Sequence, residues 1–397
     1  MTNAVIVDAV RLASGKGKMG GALSGTHPVE LLATVLRSIV SRNNLDPAQV
    51  DDVIGGCVAQ VGEQSLNISR TALLSAGFPD SVPATTIDRQ CGSSQQAAHF
   101  AAQGIIAGAY DIVIACGVES MSRIPMGTAT LGKDTGGPGI AARYPEGLVN
   151  QGISAELIAA KWKLDRDTLD AYSAQSHQRA AAAIAAGAFD NEIVPIDVTN
   201  AAGETVQHLT DETVRAATTA EGLAGLKPSF YTEGYAARFP EAGWNITPGN
   251  SSPLTDGASA VLIMSEEAAN KLGLTPRARF HSFSVAGDDP VFMLTAPIPA
   301  THKVLARAGL SIEDIDAYEV NEAFAPVPLA WAHEFNADPA KLNPRGGAIA
   351  LGHALGSSGT RLLTTLVNQL EATGGRYGLQ TMCEGAGMAN ATIIERI

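Results

Sequence analysis

One cysteine stands where a strand should give way to a helix. Cys91 follows the alternating stretch ATTIDRQ and precedes Gly92, two serines and an alanine-rich amphipathic run. The unpaired N–H groups of a helix N-terminus carry about half a positive charge, so we expect the pKa of a thiol at this turn to be lowered. The pattern indicates a nucleophilic thiolate, and a small buried thiol at a strand end is the alternative.

Three other motifs offer side chains that would complement such a thiol. His353 lies among glycines in NPRGGAIALGHALGSSG, where a neutral imidazole can take the thiol proton; a helix cap is its alternative role. Cys383 stands just before Gly385 in TMCEGAGMAN, and packing in a core is its alternative. Asn321 in NEAFA offers an amide that needs a hydrogen-bond partner if it is buried. Otherwise Asn321 is a turn residue and Glu322 belongs to a surface ion pair.

The elements that must position these residues are arranged as a repeat. LDPAQVDDVIGGCVAQ resembles LSIEDIDAYEVNEAFA, and at nearly the same offset Cys91 aligns with His353 and Cys116 with Cys383. The first copy predicts a helix, two strands, a helix and a strand over residues 30–43, 51–58, 84–88, 92–107 and 111–116. The second copy predicts the same order over residues 300–309, 316–320, 347–351, 355–372 and 377–383.

Strands that alternate with helices predict an α/β fold with mixed sheets covered by helices. We expect an N-terminal half over residues 1–117 and a C-terminal half over residues 271–397. A loop domain over residues 118–270 is inserted between them and returns to the N-terminal core near residues 250–270. The candidate residues then fall at the ends of core strands, and pseudo-twofold packing of the halves would bring those ends together.

The composition argues against several classes of function. Hydrophobic residues make up 45% of the 397 residues and charged residues 17%, so the chain can bury a large core. The net charge of −13 argues against a broad nucleic-acid or anionic-membrane surface. We find no signal-peptide pattern, no apolar run of about 18 residues, and neither a CxxC motif nor a disulfide framework among the four cysteines. We therefore expect a cytoplasmic protein with reduced thiols and no metal.

Four motifs taken together resemble those of one family, the thiolases, which comprise acetyl-CoA acetyltransferases and 3-ketoacyl-CoA thiolases. The motifs are QCGSSQQA, NEAFA, GGAIALGHALGSSGTR and CEGAGMAN, and the resemblance runs from VIVDAVR to TIIERI. It implies a layered αβαβα core of two duplicated halves with an inserted loop domain, in a homodimer or homotetramer. It also implies acyl transfer between coenzyme A and an enzyme cysteine, with CoA and acyl-CoA as substrates and no permanently bound cofactor.

The resemblance gives each motif a role. Cys91 matches the nucleophile that becomes acylated, and His353 matches the histidine that activates it. Cys383 matches the general acid and base that moves the proton on the acetyl carbon or on the departing CoA thiol. A water held by Asn321 would form one oxyanion hole with His353, and the backbone N–H groups of Cys91 and Gly385 would form the other.

Two further positions match substrate-binding residues of the family, and two others depart from its usual sequence, of which Ala354 affects only the stiffness of the turn. Ser252 in GNSSPLTDGAS matches a serine near pantetheine, and Met293 in DPVFMLTAPIP matches a methionine that lines the acyl-thioester pocket; core packing is the alternative for Met293. Ala354 replaces the proline that usually follows the histidine. An Asn-Gln pair ending in Gln151 replaces a His-Met pair, which leaves room for a longer or branched acyl group.

Three alternatives compete with a 3-ketoacyl-CoA-cleaving thiolase. One is a biosynthetic thiolase that forms acetoacetyl-CoA; the DRQCGSSQQA form resembles a branch with lipid- and steroid-degrading enzymes, which favours degradation. The second is a ketoacyl synthase acting on carrier protein, against which the triplet Cys383-Glu384-Gly385 argues. The third is a non-catalytic lipid or acyl-CoA-binding protein, which we would expect to have lost Cys91, His353 or Cys383.

Overall fold

The computed structural model describes residues 2–200 and 202–397. In chain order the strands are β1 (Ala4–Leu12), β2 (Gly15–Lys16), β3 (Asp52–Gly56), β4 (Ala84–Ile87), β5 (Ile112–Ser120), β6 (Ile193–Val194), β7 (Ile196–Thr199), β8 (Thr205–His208), β9 (Thr255–Ser265), β10 (Ala278–Gly287), β11 (Ala317–Val320), β12 (Tyr377–Glu384) and β13 (Met388–Arg396). The α-helices are α1 (Pro28–Arg42), α2 (Ile68–Ser75), α3 (Ser93–Ile106), α4 (Gly137–Arg143), α5 (Gln151–Lys161), α6 (Arg166–Ala185), α7 (Ala220–Ala224), α8 (Glu233–Arg238), α9 (Glu266–Leu272), α10 (Pro297–Ala308), α11 (Pro326–Phe335), α12 (Ala348–Leu351) and α13 (Ser358–Thr373).

Most strands share one mixed sheet in the order β11-β12-β13-β10-β1-β9-β5-β3-β4, with β2 beside β9 and β6 beside β1. From the middle outwards, both sides repeat one pattern: two antiparallel pairings followed by a parallel one, β1/β9/β5/β3 on one side and β10/β13/β12/β11 on the other. The sides meet where β1 pairs with β10 at only two positions, Val5 with Arg279 and Ile6 with Ala278. The sheet therefore consists of two like half-sheets joined by a short seam.

Helices form three layers around the two half-sheets. Helices α3 and α13 pack on each other in the central layer, α1 and α2 cover the N-terminal half-sheet, and α10 and α11 cover the C-terminal one. A Cβ added to Gly359 would lie 2.0 Å from the backbone nitrogen of Gln95, so glycine lets the two central helices cross this closely. The crossing brings together the helix N-termini that follow Cys91 and His353.

The strand predicted over residues 347–351 is wrong, because residues Ala348–Leu351 form the short helix α12. A short apolar run suits a buried helix as well as a strand. The carboxylate of Glu322 favours the helix here because it accepts a hydrogen bond from the N–H of Ile349 at 3.1 Å. Glu322 is therefore buried and not a surface residue. In the N-terminal half β4 pairs with β3. At the equivalent position beside β11, the structure has only an isolated bridge between Tyr318 and Leu342.

The segment between the two halves holds helices α4 to α8 and the ribbon of β7 and β8. Strand β9, at the end of this segment, pairs with β5 and β1 of the N-terminal half. Within residues 2–200 and 202–397, no helix has the length and apolar character needed to cross a bilayer.

Candidate active site

Cys91 lies in the turn that connects β4 to α3. Gly92 caps the helix, and Ser93 is its first residue. Gln90, just before the cysteine, has a left-handed backbone with φ of 48°, a strained conformation that is often found at functional sites. The Cys91 side chain is 4% exposed and borders a cavity of about 390 Å³. The thiol is thus sheltered from bulk water and still reachable by a ligand.

The lowered pKa that we predicted for Cys91 is wrong for the free enzyme. Burial raises the pKa of Cys91 to about 12, and the negative charge of Glu384 adds to this effect. The backbone N–H of Cys91 and the side chain of Gln151 favour the thiolate, but loss of hydration outweighs them. Cys91 therefore rests as a neutral thiol, and a base must take its proton when it attacks.

His353 is held in place by three hydrogen bonds. Its backbone N–H donates to Thr255 Oγ1 at 2.9 Å, its Nδ1 lies 2.6 Å from Ser358 Oγ, and its Nε2 lies 3.3 Å from Asn321 Nδ2. The Ser358 hydroxyl donates to the carbonyl of Ala354 at 2.9 Å. Since that hydroxyl has only one proton, we assign the imidazole proton to Nδ1, which makes Nε2 the basic nitrogen.

The imidazole of His353 is neutral at physiological pH. Burial lowers the pKa of His353 to about 3, and the positive charge of Arg361 acts in the same direction. A neutral imidazole is the form that can accept the thiol proton. Because the thiol and the imidazole are both neutral at rest, proton transfer must accompany bond formation at sulfur.

Asn321 follows β11 and is 2% exposed. Its backbone N–H donates to the carbonyl of Thr381 at 3.1 Å, which ties it to the strand that carries Cys383. Its Oδ1 has no hydrogen-bond partner among the described residues, and a buried amide oxygen needs one. The orphaned oxygen suits the water that the resemblance to thiolases implies for Asn321.

Cys383 lies near the end of β12 and is 1% exposed. It packs in an apolar cluster with Met293 and Phe324. Burial raises the pKa of Cys383 well above its ordinary value, and negative charge on Cys91 raises it further. Cys91 shares a buried cluster with Met382, the residue before Cys383, so the end of β12 lies beside the turn that holds Cys91.

Gly385 lies beside Gln90, Met293 lies in the apolar cluster of Cys383, and Ser252 lies beside Ala323. A Cβ added to Gly385 would lie 2.9 Å from Gln90 Oε1, so Gly385 adjoins the turn that holds the nucleophile. Ser252 donates its backbone N–H to the carbonyl of Ala323 at 3.0 Å. Met293 has a left-handed backbone with φ of 43°, a strain that its packing beside Cys383 must hold.

The cavity at Cys91 is lined largely by the segment from Glu119 to Thr135, together with Gln151 and Leu355. Met121 and Ile124 give it apolar walls. Of the predicted catalytic and substrate residues, only Cys91 lines this cavity in the described part of the chain. The lining segment has no periodic pattern, so its residues were not predicted to line a substrate pocket. The sequence indicated extra room for the acyl group only at Gln151.

Sequence reasoning missed three residues that act on the site. Ser358 and Arg361 stand in GSSGTR, on the first turn of the helix after His353, and their closeness in sequence was a usable signal. Arg361 is buried, and its two Nη atoms have no partner among the described residues. The third residue, Glu384, directly follows Cys383. A carboxylate at the end of an otherwise apolar strand is a sequence feature that could have identified it.

Comparison with known proteins agrees with this arrangement. A family model described as the N-terminal domain of thiolase matches residues 4–267, and one described as the C-terminal domain matches residues 274–396. The chain therefore belongs to the thiolase family.

Individual relatives extend this result. The chain is 50% identical over 405 residues to the steroid 3-ketoacyl-CoA thiolase FadA6 of Mycobacterium tuberculosis, with 100% of this chain and 95% of the relative covered. It is 44% identical over 400 residues to the 3-ketoacyl-CoA thiolase of Aliivibrio salmonicida, with 100% of both covered. The crystal structure of the Bacillus anthracis acetyl-CoA acetyltransferase matches with a TM-score of 0.88 at 38% identity, covering 100% of this chain and 99% of that one. The predicted layered fold is confirmed, and the chain is an acyltransferase.

Replacing Ser358 by alanine removes the partner of Nδ1 of His353. We expect kcat for thiolysis of acetoacetyl-CoA to fall about tenfold, since such a hydrogen bond contributes about 0.5–1.5 kcal/mol. Ser357→Ala is the matched control, because Ser357 Oγ lies 2.9 Å from Ser259 Oγ. Equal losses in steady-state assays of the two variants would contradict the role of Ser358.

Proposed function

We propose that this chain is a degradative thiolase in which Cys91 carries the acyl group. It cleaves a 3-ketoacyl-CoA with coenzyme A and gives acetyl-CoA and a shortened acyl-CoA. One observation carries the proposal: Cys91, at the N-terminal turn of α3, borders a cavity of about 390 Å³. The contact between the N-termini of α3 and α13, where the backbone N–H of Thr360 donates to Ser94 Oγ at 3.0 Å, supports a role for His353, which precedes α13. The names of the two curated relatives support the degradative direction.

In the first half-reaction, Nε2 of His353 takes the proton of Cys91 while the sulfur attacks the C3 carbonyl. The C2–C3 bond breaks, its electron pair stays on C2 as the enolate of acetyl-CoA, and Cys383 gives that carbon a proton. The acyl group remains on Cys91 as a thioester. Donors aimed at the two oxyanions, the enolate oxygen and the oxygen of the attacked carbonyl, would contribute about 3–4 kcal/mol each. We assign His353 and the water on Asn321 to the enolate oxygen. We assign the N–H groups of Cys91 and Gly385 to the carbonyl oxygen.

In the second half-reaction, the thiolate of Cys383 takes the proton of a new CoA thiol. The CoA sulfur attacks the thioester and the bond to Cys91 breaks. The sulfur of Cys91 leaves with the electron pair and takes back the proton that His353 holds. Each residue thereby returns to its neutral resting form, which suits the pKa shifts of all three groups.

We propose that the acyl group is larger than acetyl. The cavity of about 390 Å³ at Cys91 has apolar walls from Met121, Ile124 and Leu355, and an acetyl group alone would leave most of it empty. The relative named as a steroid 3-ketoacyl-CoA thiolase supports a bulky substrate. In this arrangement pantetheine passes Ser252, and the thioester lies against Met293.

A bulky residue placed in that cavity tests the proposal. Ala129 lines the cavity, and Ala129→Phe is expected to lower kcat/KM for long-chain or steroid-sized 3-ketoacyl-CoA at least about tenfold relative to acetoacetyl-CoA, because one misplaced methylene can cost that much. The neighbouring Thr128→Phe is the matched control, since Thr128 does not line the cavity. Thiolysis kinetics over a panel of chain lengths make the measurement.

The same panel separates the alternatives. Preference of the unmodified enzyme for acetoacetyl-CoA over every longer substrate would instead indicate a biosynthetic thiolase. Negligible turnover of all substrates would indicate a non-catalytic acyl-CoA-binding protein.

We also propose a homo-oligomer. Strand β4 is the outer strand of the N-terminal half-sheet, and the nearby helix α3 leaves Phe100 44% exposed and Ile106 38% exposed. A second copy would cover these apolar groups. We propose the division into two halves and a loop domain, over residues 1–117, 118–270 and 271–397. We also propose a cytoplasmic location, where the buried free cysteines stay reduced.

A further inference from the structure

A buried carboxyl group lies directly behind the nucleophile. Glu384 follows Cys383 at the end of β12, and none of it is exposed. A Cβ added to Gly92 would lie 2.0 Å from Glu384 Oε1, so the carboxyl group packs on the backbone of the residue that follows Cys91. Glycine at position 92 is needed to make this room.

The hydrogen bonds around this carboxyl group are incomplete if it is ionised. Both oxygens of Glu384 and the Oδ1 of Asn390 lack partners among the described residues. The Oδ1 of Asn390 would lie 2.7 Å from the same added Cβ at Gly92, and its Nδ2 donates to the carbonyl of Gly92 at 3.1 Å. Acceptors thus crowd one side of the Gly92 turn, and a proton on Glu384 would let one of them donate to another.

Burial of Glu384 favours that proton. Burial raises the pKa of Glu384 to about 8; the positive charge of Arg89 and the backbone N–H of Asn390 lower it, and Asp88 raises it, by smaller amounts. Arg89 makes no ion pair with Glu384 in the described part of the chain, and its Nε has no partner there. Negative charge on Glu384 in turn raises the pKa of both cysteines of the site, so an ionised Glu384 opposes the thiolate.

We propose that Glu384 is a positioning residue that works as a neutral acid: its protonated carboxyl donates to Asn390 Oδ1, fixes the Gly92 turn behind Cys91, and keeps negative charge away from the sulfur. The proposal rests on the role of Cys91 as nucleophile. The groups that face Glu384 are Asp88, Arg89, Cys91 and Cys383. Of these groups, Cys91 and Cys383 take part in the reaction, and a negative charge on Glu384 raises the pKa of both.

Glu384→Gln is the decisive variant, because it keeps the shape and a donor but cannot ionise. The first readout is the rate of Cys91 alkylation by iodoacetamide, followed by peptide mass spectrometry from about pH 6 to about pH 10. Because this range lies below the pKa of Cys91, the rate follows the small fraction of thiolate. Above about pH 8 we expect Glu384→Gln to be alkylated at least about tenfold faster than the unmodified enzyme, since a like charge no longer opposes the thiolate. This readout does not depend on turnover.

The second readout is the pH profile of kcat/KM. The unmodified enzyme is expected to lose activity above about pH 8 as Glu384 ionises, and Glu384→Gln is expected to lack this loss. Glu384→Ala removes the donor and should be at least about tenfold slower at neutral pH than Glu384→Gln. Glu319→Gln is the matched control: burial also raises the pKa of Glu319 to about 8, on β11, and this variant should keep the alkaline loss.

Two results would overturn the proposal. One is Glu384→Gln being as slow as Glu384→Ala, which would mean that the carboxylate acts in its ionised form. The other is an unchanged alkylation rate above about pH 8 together with an unchanged alkaline loss of activity in Glu384→Gln. Failure of the thiolase mechanism itself looks different, because Cys91 would then carry no acyl group in any variant, whatever its alkylation rate.

Discussion

Cys91→Ala is expected to abolish thiolysis. The sulfur of Cys91 is the atom to which the acyl group bonds, and alanine offers no substitute. We expect kcat to fall at least about ten-thousandfold, the scale on which the loss of a covalent nucleophile is felt. Incubation with acyl-CoA followed by intact-mass measurement should show one added acyl group on the unmodified enzyme and none on the variant.

The matched control for this experiment is another buried cysteine. Cys116 lies in the middle of β5 and packs in the core of the N-terminal half. Burial raises its pKa, and Cys116 is not among the residues that line the cavity at Cys91 in the described part of the chain. Cys116→Ala should keep activity within about threefold and lose about 1 kcal/mol of stability. Acylation that persists in Cys91→Ala would place the nucleophile elsewhere and refute the mechanism.

The sequence predicts the fold well because the relevant signals are local and are repeated. The alternation before Cys91 predicts β4, and the apolar periodicity after it predicts α3. The same pattern after His353 predicts α13. The residues of α12 carry no such signal, because a short apolar run is compatible with either a strand or a helix. The helix is favoured by a contact outside the run, the hydrogen bond from the N–H of Ile349 to the carboxylate of Glu322.

The residues of the site were predictable, but their electrostatics were not. The rule that a helix N-terminus lowers the pKa of a thiol uses only neighbours of Cys91 in sequence. The opposite shift comes from burial and from Glu384, which the hairpin of β12 and β13 places behind Cys91. The tautomer of His353 likewise depends on Ser358 and Asn321 together, and the cavity lining depends on a loop without a pattern. Long-range packing therefore sets the chemical state of groups that short motifs identify.

His353→Ala is expected to cause the second large loss. It removes the base for Cys91 and one donor to the enolate oxygen, and general base catalysis alone contributes about a hundredfold to ten-thousandfold. We therefore expect kcat/KM for thiolysis to fall at least about a thousandfold, with slower acylation of Cys91 in rapid-mixing experiments. His99→Gln is the control: His99 is a buried histidine of α3 whose pKa is also lowered to about 3, and its Nε2 lies 2.7 Å from Thr392 Oγ1, which is not among the predicted site residues.

The pH profile gives this prediction a second, independent check. Because the pKa of His353 is lowered to about 3, the imidazole stays neutral well below the ordinary value of about 6.5. Activity of the unmodified enzyme should therefore show no acid loss with a midpoint near 6.5. Stability behaves differently: the unfolded chain takes up protons on His353 and His99 below about pH 6.5 while the folded chain does not, so stability falls as the pH drops from about 6.5 toward about 3. An acid loss of kcat/KM centred near 6.5, with the fold intact, would mean that His353 is solvated and charged in the working enzyme, and the neutral-base mechanism would be wrong.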